Sequence, residues 1–327
     1  MQRLREIGEE GLLKIIREGF PESSEELLVG IGDDSAVLEL RDSRVLISTD
    51  TMSEGVHFLH SLFTPYQIAY KLVVSNVSDI HAMGGSPRWA LLNLSIPADT
   101  GYDFIDPFLK GLRCGLQTYG VSLIGGDITD SQASVFTITM LGLAEIFITR
   151  SGACPGDGVY LTGPVGEAAC GLELLKTIAR PVRLEEGEKL ELNLPWDDAR
   201  VVLERFLLPK LPVMPGPSES ITSMIDISDG LFIDLWRLCR ESHVGARIYE
   251  EKLPLSRHQQ SVAAFLGLDP YILMVSGGED YQLLFTSPED MEGCHRIGEV
   301  TREGLSIVRI DGRVEEITPL GYQHFGS

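Results

Sequence analysis

The spacing of hydrophobic residues along the chain predicts a mixture of helices and strands. Apolar residues three and four positions apart favour an amphipathic helix over residues 1–20 and another helix over 103–119. A buried strand is predicted at Val45–Thr49, and alternating residues favour strands at Trp89–Ile96 and Val135–Leu143. Because helices and strands do not alternate in a regular βαβ pattern, the chain is predicted to be an α+β protein.

A further helix is predicted to begin at Thr64 and Pro65. Threonine is a favoured N-cap, and proline suits the first helical position because its missing N–H would have no partner there. The apolar residues between Ile68 and Ile80 are spaced for one helix. The helix is predicted to end at the glycine pair that begins with Gly84.

Glycine and proline cluster between Arg150 and Asp157, and a new strand is predicted directly afterwards at Gly158–Thr162. We therefore place a domain boundary at this cluster. The N-terminal domain is predicted to span residues 1–150 and the C-terminal domain residues 151–327.

The C-terminal half contains two stretches that are expected to be irregular. Residues 181–195 are charged, and residues 209–217 contain four prolines. A strand is predicted to end at Met224–Ile227, and a helix to follow from Asp229 to about Cys239. Asp229 precedes a Gly-Leu-Phe sequence, where it would serve as the N-cap.

Composition narrows the location and the class of partner. The chain has five cysteines without a C-x-x-C pair, which favours reduced thiols over disulfides or zinc. It has neither the apolar block of a secretory signal nor an apolar run long enough to span a membrane. We therefore expect a cytoplasmic protein. The formal net charge of −21 argues against nucleic acid and membrane as partners, because both require a basic surface.

Aspartates recur directly after short hydrophobic strands or within glycine turns, where backbone can approach a ligand closely. Asp79 differs, because it is predicted to lie inside a helix three residues after Asn76, so that both side chains share one face. The aspartates at strand ends and turns are Asp33, Asp34, Asp50, Asp127, Asp226 and Asp229.

Several carboxylates that converge without a base would repel one another and raise each other's pKa. No lysine or arginine lies inside these aspartate motifs. Mg²⁺ is the natural neutraliser, because it prefers carboxylate oxygens and commonly bridges to phosphates. A set of Mg²⁺ ions would allow so acidic a chain to bind ATP. For any single aspartate, capping of a turn or helix is the alternative interpretation.

The familiar nucleotide-binding motifs are absent. The chain has no Gly-Lys-Ser/Thr of a P-loop and no G-x-G-x-x-G that opens a helix. The H-R-D and D-F-G signatures of protein kinases are missing as well. If the chain uses ATP, it does so with another architecture.

Taken in their order along the chain, the motifs resemble those of the thiamine-monophosphate kinase family. The EGVHF segment at Glu54–Phe58 and the GYQHF segment at Gly321–Phe325 separate this family from its relatives. The full set of similar segments is Gly32–Ala36, Ser48–Thr51, Glu54–Phe58, Asn76–Asp79, Ala82–Gly84, Gly125–Asp127, Thr149–Gly152, Pro155–Asp157, Ile225–Leu231, Ser276–Tyr281 and Gly321–Phe325.

The resemblance implies a fold shared with aminoimidazole ribonucleotide synthetase and selenophosphate synthetase. It implies a homodimer in which the N-terminal sheets of two chains join into a barrel, with ATP in a groove of the N-terminal domain. The implied reaction converts ATP and thiamine monophosphate into ADP and thiamine diphosphate by direct transfer, without a phosphoenzyme. Several Mg²⁺ ions would assist the transfer.

The resemblance also assigns roles to single residues. Protein groups do little covalent work in phosphoryl transfer, so no catalytic side chain is expected beyond the metal ligands. The implied Mg²⁺ ligands are Asp34, Ser48, Thr49, Asp50, Asp79, Asp127, Asp226 and Asp229, while the role of Asp33 is left open. The implied ATP contacts are Tyr119, Gly126, Asp127, Arg150 and Ser228. The implied thiamine contacts are His57, Glu279, an anion that would face the cationic thiazolium, and Tyr322, which would stack on a ring.

Two other functions remain open on sequence grounds. A sister ATP-using enzyme of the superfamily is one alternative, but a selenophosphate synthetase would need a reactive cysteine near the N-terminus, and the first cysteine here is Cys114. The other alternative is a non-catalytic Mg-nucleotide-binding protein. Such a protein would more typically carry a contiguous D-x-D-x-D-G loop, which this chain lacks.

Overall fold

The computed structural model describes residues 15–16, 18–20, 26–29, 37–38, 44–215 and 218–323. Asp33 and Asp34 lie outside these described residues, as does most of the helix predicted over 1–20. The described residues form two compact units, each with a sheet and helices, and the predicted two-domain α+β class is confirmed. The limits 1–150 and 151–327 stay predictions. The first unit takes the described residues up to His81, Gly85–Glu145 and Ala179–Glu188, and the second takes Ala82–Gly84, Ile146–Ile178 and the described residues from Lys189 onward.

A four-stranded sheet frames the first unit. It is antiparallel except at one edge, where the last strand runs parallel to its neighbour. In spatial order its strands are β3 (Arg44–Ser53), β6 (Val135–Ala144), β4 (Ser86–Ile96) and β5 (Ser122–Asp130), and a separate antiparallel pair consists of β1 (Leu27–Val29) and β2 (Val37–Leu38).

Two helices, α1 (Pro65–Ala82) and α2 (Tyr102–Thr118), belong to this unit. The helix start predicted at Thr64 and Pro65 is confirmed, and the Thr64 hydroxyl accepts a hydrogen bond from the backbone N–H of Gln67 at 3.3 Å. Apolar side chains from the helices and the sheet form the core, where the ring centroids of Phe108 and Phe136 lie 4.5 Å apart.

The face of this sheet that carries Val45 and Ile47 is open in the single chain. The prediction that Val45–Thr49 forms a buried strand is wrong, because the side chains of Val45 and Ile47 are 37% and 69% exposed. Strand β3 is an edge strand whose side chains alternate between the covered and the open face, so that Leu46 is buried while its two neighbours are not. The first unit therefore presents apolar surface on this face.

The segment Ala179–Glu188 belongs to the first unit although the residues on both sides of it belong to the second. The Glu185 carboxylate holds it in place, accepting hydrogen bonds from the Thr64 hydroxyl at 2.5 Å and the Gln67 amide at 2.8 Å. A charged stretch that was expected to be a plain loop thus anchors to the start of α1.

A seven-stranded sheet frames the second unit, with one parallel pair among antiparallel ones. In spatial order the strands are β13 (Val314–Glu316), β12 (Leu305–Val308), β9 (Gly245–Tyr249), β11 (His295–Thr301), β7 (Gly158–Leu161), β10 (Leu283–Ser287) and β8 (Ser223–Asp226). The helices are α3 (Glu167–Ile178), α4 (Trp196–Leu207), α5 (Leu231–Ser242), α6 (Arg257–Leu266) and α7 (Pro270–Ser276).

The helix predicted from Asp229 begins two residues later, at Leu231. The N-cap position is occupied by Gly230, whose φ of 138° suits glycine, and no side chain caps the helix from that position. The expected capping role of Asp229 is therefore wrong. Within the described chain, no helix combines the length and apolar character that a membrane span requires.

Candidate functional site

In the first unit, strand β3 and helix α1 bring three of the predicted metal ligands together. The Ser48 hydroxyl donates a short hydrogen bond to Oδ2 of Asp79. Two residues along β3, the backbone N–H of Asp50 donates to Oδ1 of Asn76 at 3.0 Å. Asn76 and Asp79 thus face the same strand, as their spacing of three residues predicted. Ser48, Asp50 and Asp79 form a group of oxygen donors on the covered side of the sheet.

Two further predicted metal ligands, Thr49 and Asp127, lie on the other face of the same sheet. The hydroxyls of Thr49 and Thr139 approach to 3.3 Å there, and those of Thr51 and Thr137 to 2.8 Å. Because side chains alternate along a strand, Thr49 points away from Ser48 and Asp50.

Asp127 is exposed on this open face, at the opposite edge of the sheet from β3. In the strand register Asp127 of β5 lies beside Asn93 of β4. Asn93 lies beside Thr137 of β6, and Thr137 lies beside Thr51 of β3. Three strand spacings separate the backbones of Thr51 and Asp127, about 14 Å at 4.8 Å per spacing. The single chain therefore does not bring Asp127 to the group of Ser48, Asp50 and Asp79.

The backbone of Gly126, a predicted ATP contact, cannot carry a side chain. Its φ is 154°, and a Cβ atom there would lie 1.8 Å from the carbonyl oxygen of Leu92. The neighbouring strands therefore approach closely at this point, which only glycine permits.

Tyr119, another predicted ATP contact, follows directly after α2 and is held by two aromatic neighbours. Its hydroxyl hydrogen-bonds that of Tyr70, and burial raises the pKa of Tyr70 above its ordinary value. The ring of His81 meets that of Tyr119 edge-on at 6.2 Å. Burial also lowers the pKa of His81, which favours the neutral imidazole. The Tyr119 ring is thus placed by uncharged partners.

His57, a predicted thiamine contact, lies in a tight loop after β3. Its Nδ1 accepts a hydrogen bond from the backbone N–H of Ser53 at 3.1 Å. The backbone N–H of His57 donates to the carbonyl oxygen of Ser53 at 2.9 Å. An Nδ1 that accepts a hydrogen bond carries no proton, so the ring N–H is on Nε2, which is a hydrogen-bond donor.

In the second unit, three segments place five of the predicted residues side by side. The segment that starts at Asp226, the last residue of β8, and continues through Ser228 and Asp229 lies between two others. On one side the backbone N–H of Glu279 donates to the carbonyl oxygen of Ser228 at 2.9 Å. On the other side the backbone N–H of Tyr322 donates to the carbonyl oxygen of Asp229 at 2.9 Å. Predicted metal ligands, an ATP contact and both thiamine contacts of this unit therefore share one small region.

Close backbone packing in this region explains its glycines. A Cβ on Gly278 would lie 2.3 Å from the carbonyl oxygen of Ser228, and one on Gly321 would lie 2.7 Å from that of Asp229. Glu279 itself has a φ of 66°, a left-handed conformation that non-glycine residues adopt only at a cost.

Arg237 pairs with Asp229 in a way that the sequence did not reveal. Its Nη1 lies 2.5 Å from Oδ2 of Asp229 and 2.7 Å from Oδ1 of the fully buried Asp234. No lysine or arginine lies within the aspartate motifs in sequence, but α5 places Arg237 beside Asp229 in the folded chain. At this aspartate a protein cation offsets the charge.

Asp280, between Glu279 and Tyr281 in the SGGEDY segment, has a structural role. Its buried carboxylate accepts hydrogen bonds from the N–H of Gly166 and, at 2.8 Å, that of Ala168, where α3 begins. Burial raises the pKa of Asp280 to about 7 although these two donors lower it.

Arg150 is exposed in the second unit. Its carbonyl oxygen accepts a hydrogen bond from the Ser242 hydroxyl at 2.9 Å, and the same hydroxyl accepts from the N–H groups of Gly152 and Ala153 at 3.2 Å. The backbone beside Arg150 is thus fastened to α5, which leaves its long side chain for a ligand or for solvent.

The donors at these positions suit a hard divalent cation. Ser48, Asp50, Asp79, Asp226 and Asp229 offer only oxygen atoms, which Mg²⁺ prefers. Among the described residues, no three His, Cys, Asp or Glu side chains already converge as a metal site. The residues fit Mg²⁺ by the chemistry of their donors, in two groups that belong to separate units.

Sequence reasoning missed Arg237, Asp234 and Asp280. Two weak signals could have found Asp234. It is an acidic residue in the first turn of a helix that lacks an N-cap side chain, and it lies three residues before Arg237, the spacing of a helical ion pair. Nothing in the sequence distinguished Asp280 from its neighbour Glu279, because only the fold shows that one is buried and the other is not.

Comparisons with known proteins agree over nearly the whole chain. The AIR synthase related protein family matches through its N-terminal domain over residues 32–144 and its C-terminal domain over residues 155–311. Thiamine-monophosphate kinase of Aquifex aeolicus (strain VF5) is 35% identical, with 99% of this chain and 100% of the relative covered. The enzyme of the same name from Escherichia coli (strain K12) is 36% identical, with 91% and 92% covered. A solved structure of AaThiL complexed with AMPPCP and TMP is 33% identical, has a TM-score of 0.74 and covers 99% of both chains.

Proposed function

Because this chain belongs to the thiamine-monophosphate kinase family and is an enzyme of that class, we propose that it converts ATP and thiamine monophosphate into ADP and thiamine diphosphate. The observation that carries the proposal is the 35% identity to a thiamine-monophosphate kinase across 99% of the chain. The neighbouring structure that holds AMPPCP, an ATP analogue, together with TMP supports both substrates.

We propose that several Mg²⁺ ions assist the transfer. Ser48, Asp50 and Asp79 would hold metal in the first unit, and Asp226 and Asp229 in the second, with Thr49, Asp127 and Asp34 as the further expected ligands. When bound, Mg²⁺ neutralises phosphate oxygens and lowers the charge that opposes the approach of two phosphates. Two hydrogen bonds support this proposal, since they hold β3 against α1 beside these ligands: the Ser48 hydroxyl donates to the Asp79 carboxylate, and the backbone N–H of Asp50 donates to Oδ1 of Asn76.

Binding of the two organic substrates falls to other residues. Tyr119, Gly126, Arg150 and Ser228 are the proposed ATP contacts in addition to Asp127. His57 would offer its Nε2–H to an acceptor of thiamine monophosphate, Glu279 its negative charge to the thiazolium, and Tyr322 its ring as a stacking surface. Tyr322 is 48% exposed, which leaves part of its surface accessible to a substrate.

We also propose a homodimer in which two of the four-stranded sheets form a barrel. The open sheet face supports it, because the exposed Val45 and Ile47 would gain from cover by a second copy. The same face carries Thr49 and Asp127, so in a dimer formed through it these two expected ligands would lie beside the second copy. The cytoplasm is the proposed location, supported by five cysteines that form no disulfide.

A coupled ADP-release assay tests the proposed reaction. We expect ADP to form with thiamine monophosphate and Mg²⁺, and not with thiamine, aminoimidazole-ribonucleotide precursors or selenide as acceptors. Thiamine diphosphate should accumulate in equal amount, as measured by chromatography. ADP release that is independent of thiamine monophosphate, or that follows another acceptor, would overturn the proposal.

A further inference from the structure

Helix α5 begins without the usual polar residue in front of it, and Asp234 replaces that cap from inside the first turn. Its Oδ2 accepts hydrogen bonds from the backbone N–H groups of Asp229, at 3.1 Å, and Gly230, at 3.0 Å. The N–H of Gly230, at the N-cap, is one that the start of a helix leaves without a partner, and the N–H of Asp229 belongs to the turn before it. Asp234 is fully buried, so its charge requires compensation close by.

Arg237 supplies this compensation and reaches a second carboxylate at the same time. A single nitrogen, Nη1, donates to Asp234 at 2.7 Å and to Asp229 at 2.5 Å. Its two hydrogens therefore serve two acids that would otherwise repel each other. The side chain of Arg237 is 26% exposed, which makes the pair with Asp229 stronger than a freely solvated surface ion pair.

Asp229 is consequently restrained at three points. Its N–H donates to Asp234, its carbonyl oxygen accepts from the N–H of Tyr322 at 2.9 Å, and its Oδ2 is held by Arg237. The remaining carboxylate oxygen, Oδ1, makes no hydrogen bond within the described part of the chain. This is the arrangement expected for a carboxylate that is oriented from behind so that one oxygen faces a ligand.

We propose that Arg237 is a positioning residue that orients Asp229 for Mg²⁺, with Asp234 as the anchor that fixes Arg237. This inference rests on the proposed function and adds to it a residue that touches neither substrate nor metal. Outer partners of this kind typically change metal affinity by roughly 10- to 100-fold when they are removed.

The test compares Arg237→Met with Arg237→Lys and with Arg240→Met. Methionine keeps an apolar stem but donates no hydrogen bond, whereas lysine keeps a single cationic nitrogen, which is all that the two carboxylates use. Arg240 lies one turn further along α5, pairs with Glu241 at 2.8 Å and stacks on Trp236, so it controls for loss of an arginine from the same helix.

Binding of Mn²⁺ in the presence of AMPPCP, followed by electron paramagnetic resonance, gives a readout that needs no turnover. The Mg²⁺ concentration for half-maximal rate gives a second one. We expect Arg237→Met to weaken Mn²⁺ binding and to raise the half-maximal Mg²⁺ concentration by about tenfold, with a smaller change in kcat at saturating Mg²⁺. Arg237→Lys should recover most of the loss, and Arg240→Met should behave as wild type.

The proposal is overturned if Arg237→Met binds Mn²⁺ as the Arg240→Met protein does. It is also overturned if the methionine and lysine variants lose metal affinity equally, because the bridge would then only stabilise the fold. Far-UV circular dichroism and the melting temperature identify a misfolded variant. If Arg237→Met is misfolded, the Mn²⁺ affinity of Arg237→Lys compared with that of Arg240→Met decides the question. Failure of the proposed function has a different signature: wild-type protein would release no ADP with thiamine monophosphate while the Mn²⁺ comparison still stood.

Discussion

The backbone N–H of Tyr322 donates a hydrogen bond to the carbonyl oxygen of Asp229, with 2.9 Å between the two atoms. The link joins an expected thiamine contact near the C-terminus to an expected Mg²⁺ ligand that lies 93 positions earlier. Gly321 makes it possible, because any side chain there would collide with Ile233 and with the Asp229 carbonyl. The two substrates would thus be recognised by neighbouring parts of one rigid arrangement.

The two functions of Tyr322, a ring and an N–H, are separable by mutation. Tyr322→Ala removes the ring and keeps the N–H, so KM for thiamine monophosphate should rise about tenfold, the equivalent of roughly 1.4 kcal/mol, while Mg²⁺ dependence stays unchanged. Tyr322→Pro removes the N–H as well, and should additionally raise the Mg²⁺ concentration required for half-maximal rate. Steady-state kinetics over both concentrations checks this. Equal Mg²⁺ dependence in the two variants would show that the backbone link to Asp229 is without consequence.

Asp79 should be indispensable for turnover. Asp79→Asn keeps the shape of the side chain but removes the charge that would hold Mg²⁺, and kcat should fall about 100-fold or more. Asp106→Asn is the matched control, since Asp106 lies on the surface of α2 and pairs with Lys110 at 2.7 Å. The rate of ADP release at saturating substrates is the measurement. An Asp79→Asn enzyme with more than half of the wild-type rate would contradict a metal role.

Local signals predicted much of the fold. The Thr-Pro start of α1 and the apolar spacing behind it depend on contacts within a few residues, and the helix formed where it was predicted. The same holds for Asn76 and Asp79, whose common face follows from helical geometry alone.

Features that depend on contacts distant in sequence were not predictable. The return of Ala179–Glu188 to the first unit depends on the fit of Glu185 to Thr64, a pairing 121 positions apart. The exposure of Ile47 depends on which face of an edge strand the helices cover. The bridge from Arg237 to Asp229 required knowledge that α5 starts at Leu231, because Asp229 then lies in the turn before the helix and not within it.

Gly126 should tolerate no side chain. A Cβ there would lie 1.8 Å from the carbonyl oxygen of Leu92 and would demand a φ of 154°, so Gly126→Ala should cost more than about 3 kcal/mol of unfolding free energy or prevent folding. Gly120→Ala offers a control with positive φ but with open space, and should cost about 1 kcal/mol. Urea unfolding of both proteins provides the values. Equal destabilisation would mean that the close approach to Leu92 does not constrain the strand.

The open sheet face should determine the oligomeric state. Ile47→Asp places a charge at a side chain that is 69% exposed in the single chain, so it should leave the monomer fold intact but disrupt a dimer formed through this face. Val213→Asp is the control, because Val213 is 90% exposed in the other unit. Light scattering coupled to size-exclusion chromatography should give a dimer for wild type and Val213→Asp, and a monomer for Ile47→Asp. A dimer that survives Ile47→Asp would place the interface elsewhere.

Asp280 should make stability depend on pH between about 4 and about 7. Burial raises its pKa from 3.8 to about 7 in the folded state, so the folded protein keeps this proton over a range in which the unfolded chain has released it. Its stabilising contribution is complete below pH 3.8, falls as pH rises and is lost above about pH 7. At 1.4 kcal/mol for each pKa unit, the fall amounts to at most about 4 kcal/mol.

Asp280→Asn removes this titration. The variant should be less stable than wild type at every pH, because an amide oxygen replaces the two acceptors that hold the N–H groups of Gly166 and Ala168. The difference in unfolding free energy between the two proteins should be larger at pH 5 than at pH 8, since only wild type loses stability over that range. Urea titrations at the two pH values measure it, with Asp106→Asn expected to follow wild type. A constant difference would show that Asp280 is ionised in the folded protein throughout, with the two N–H donors outweighing burial.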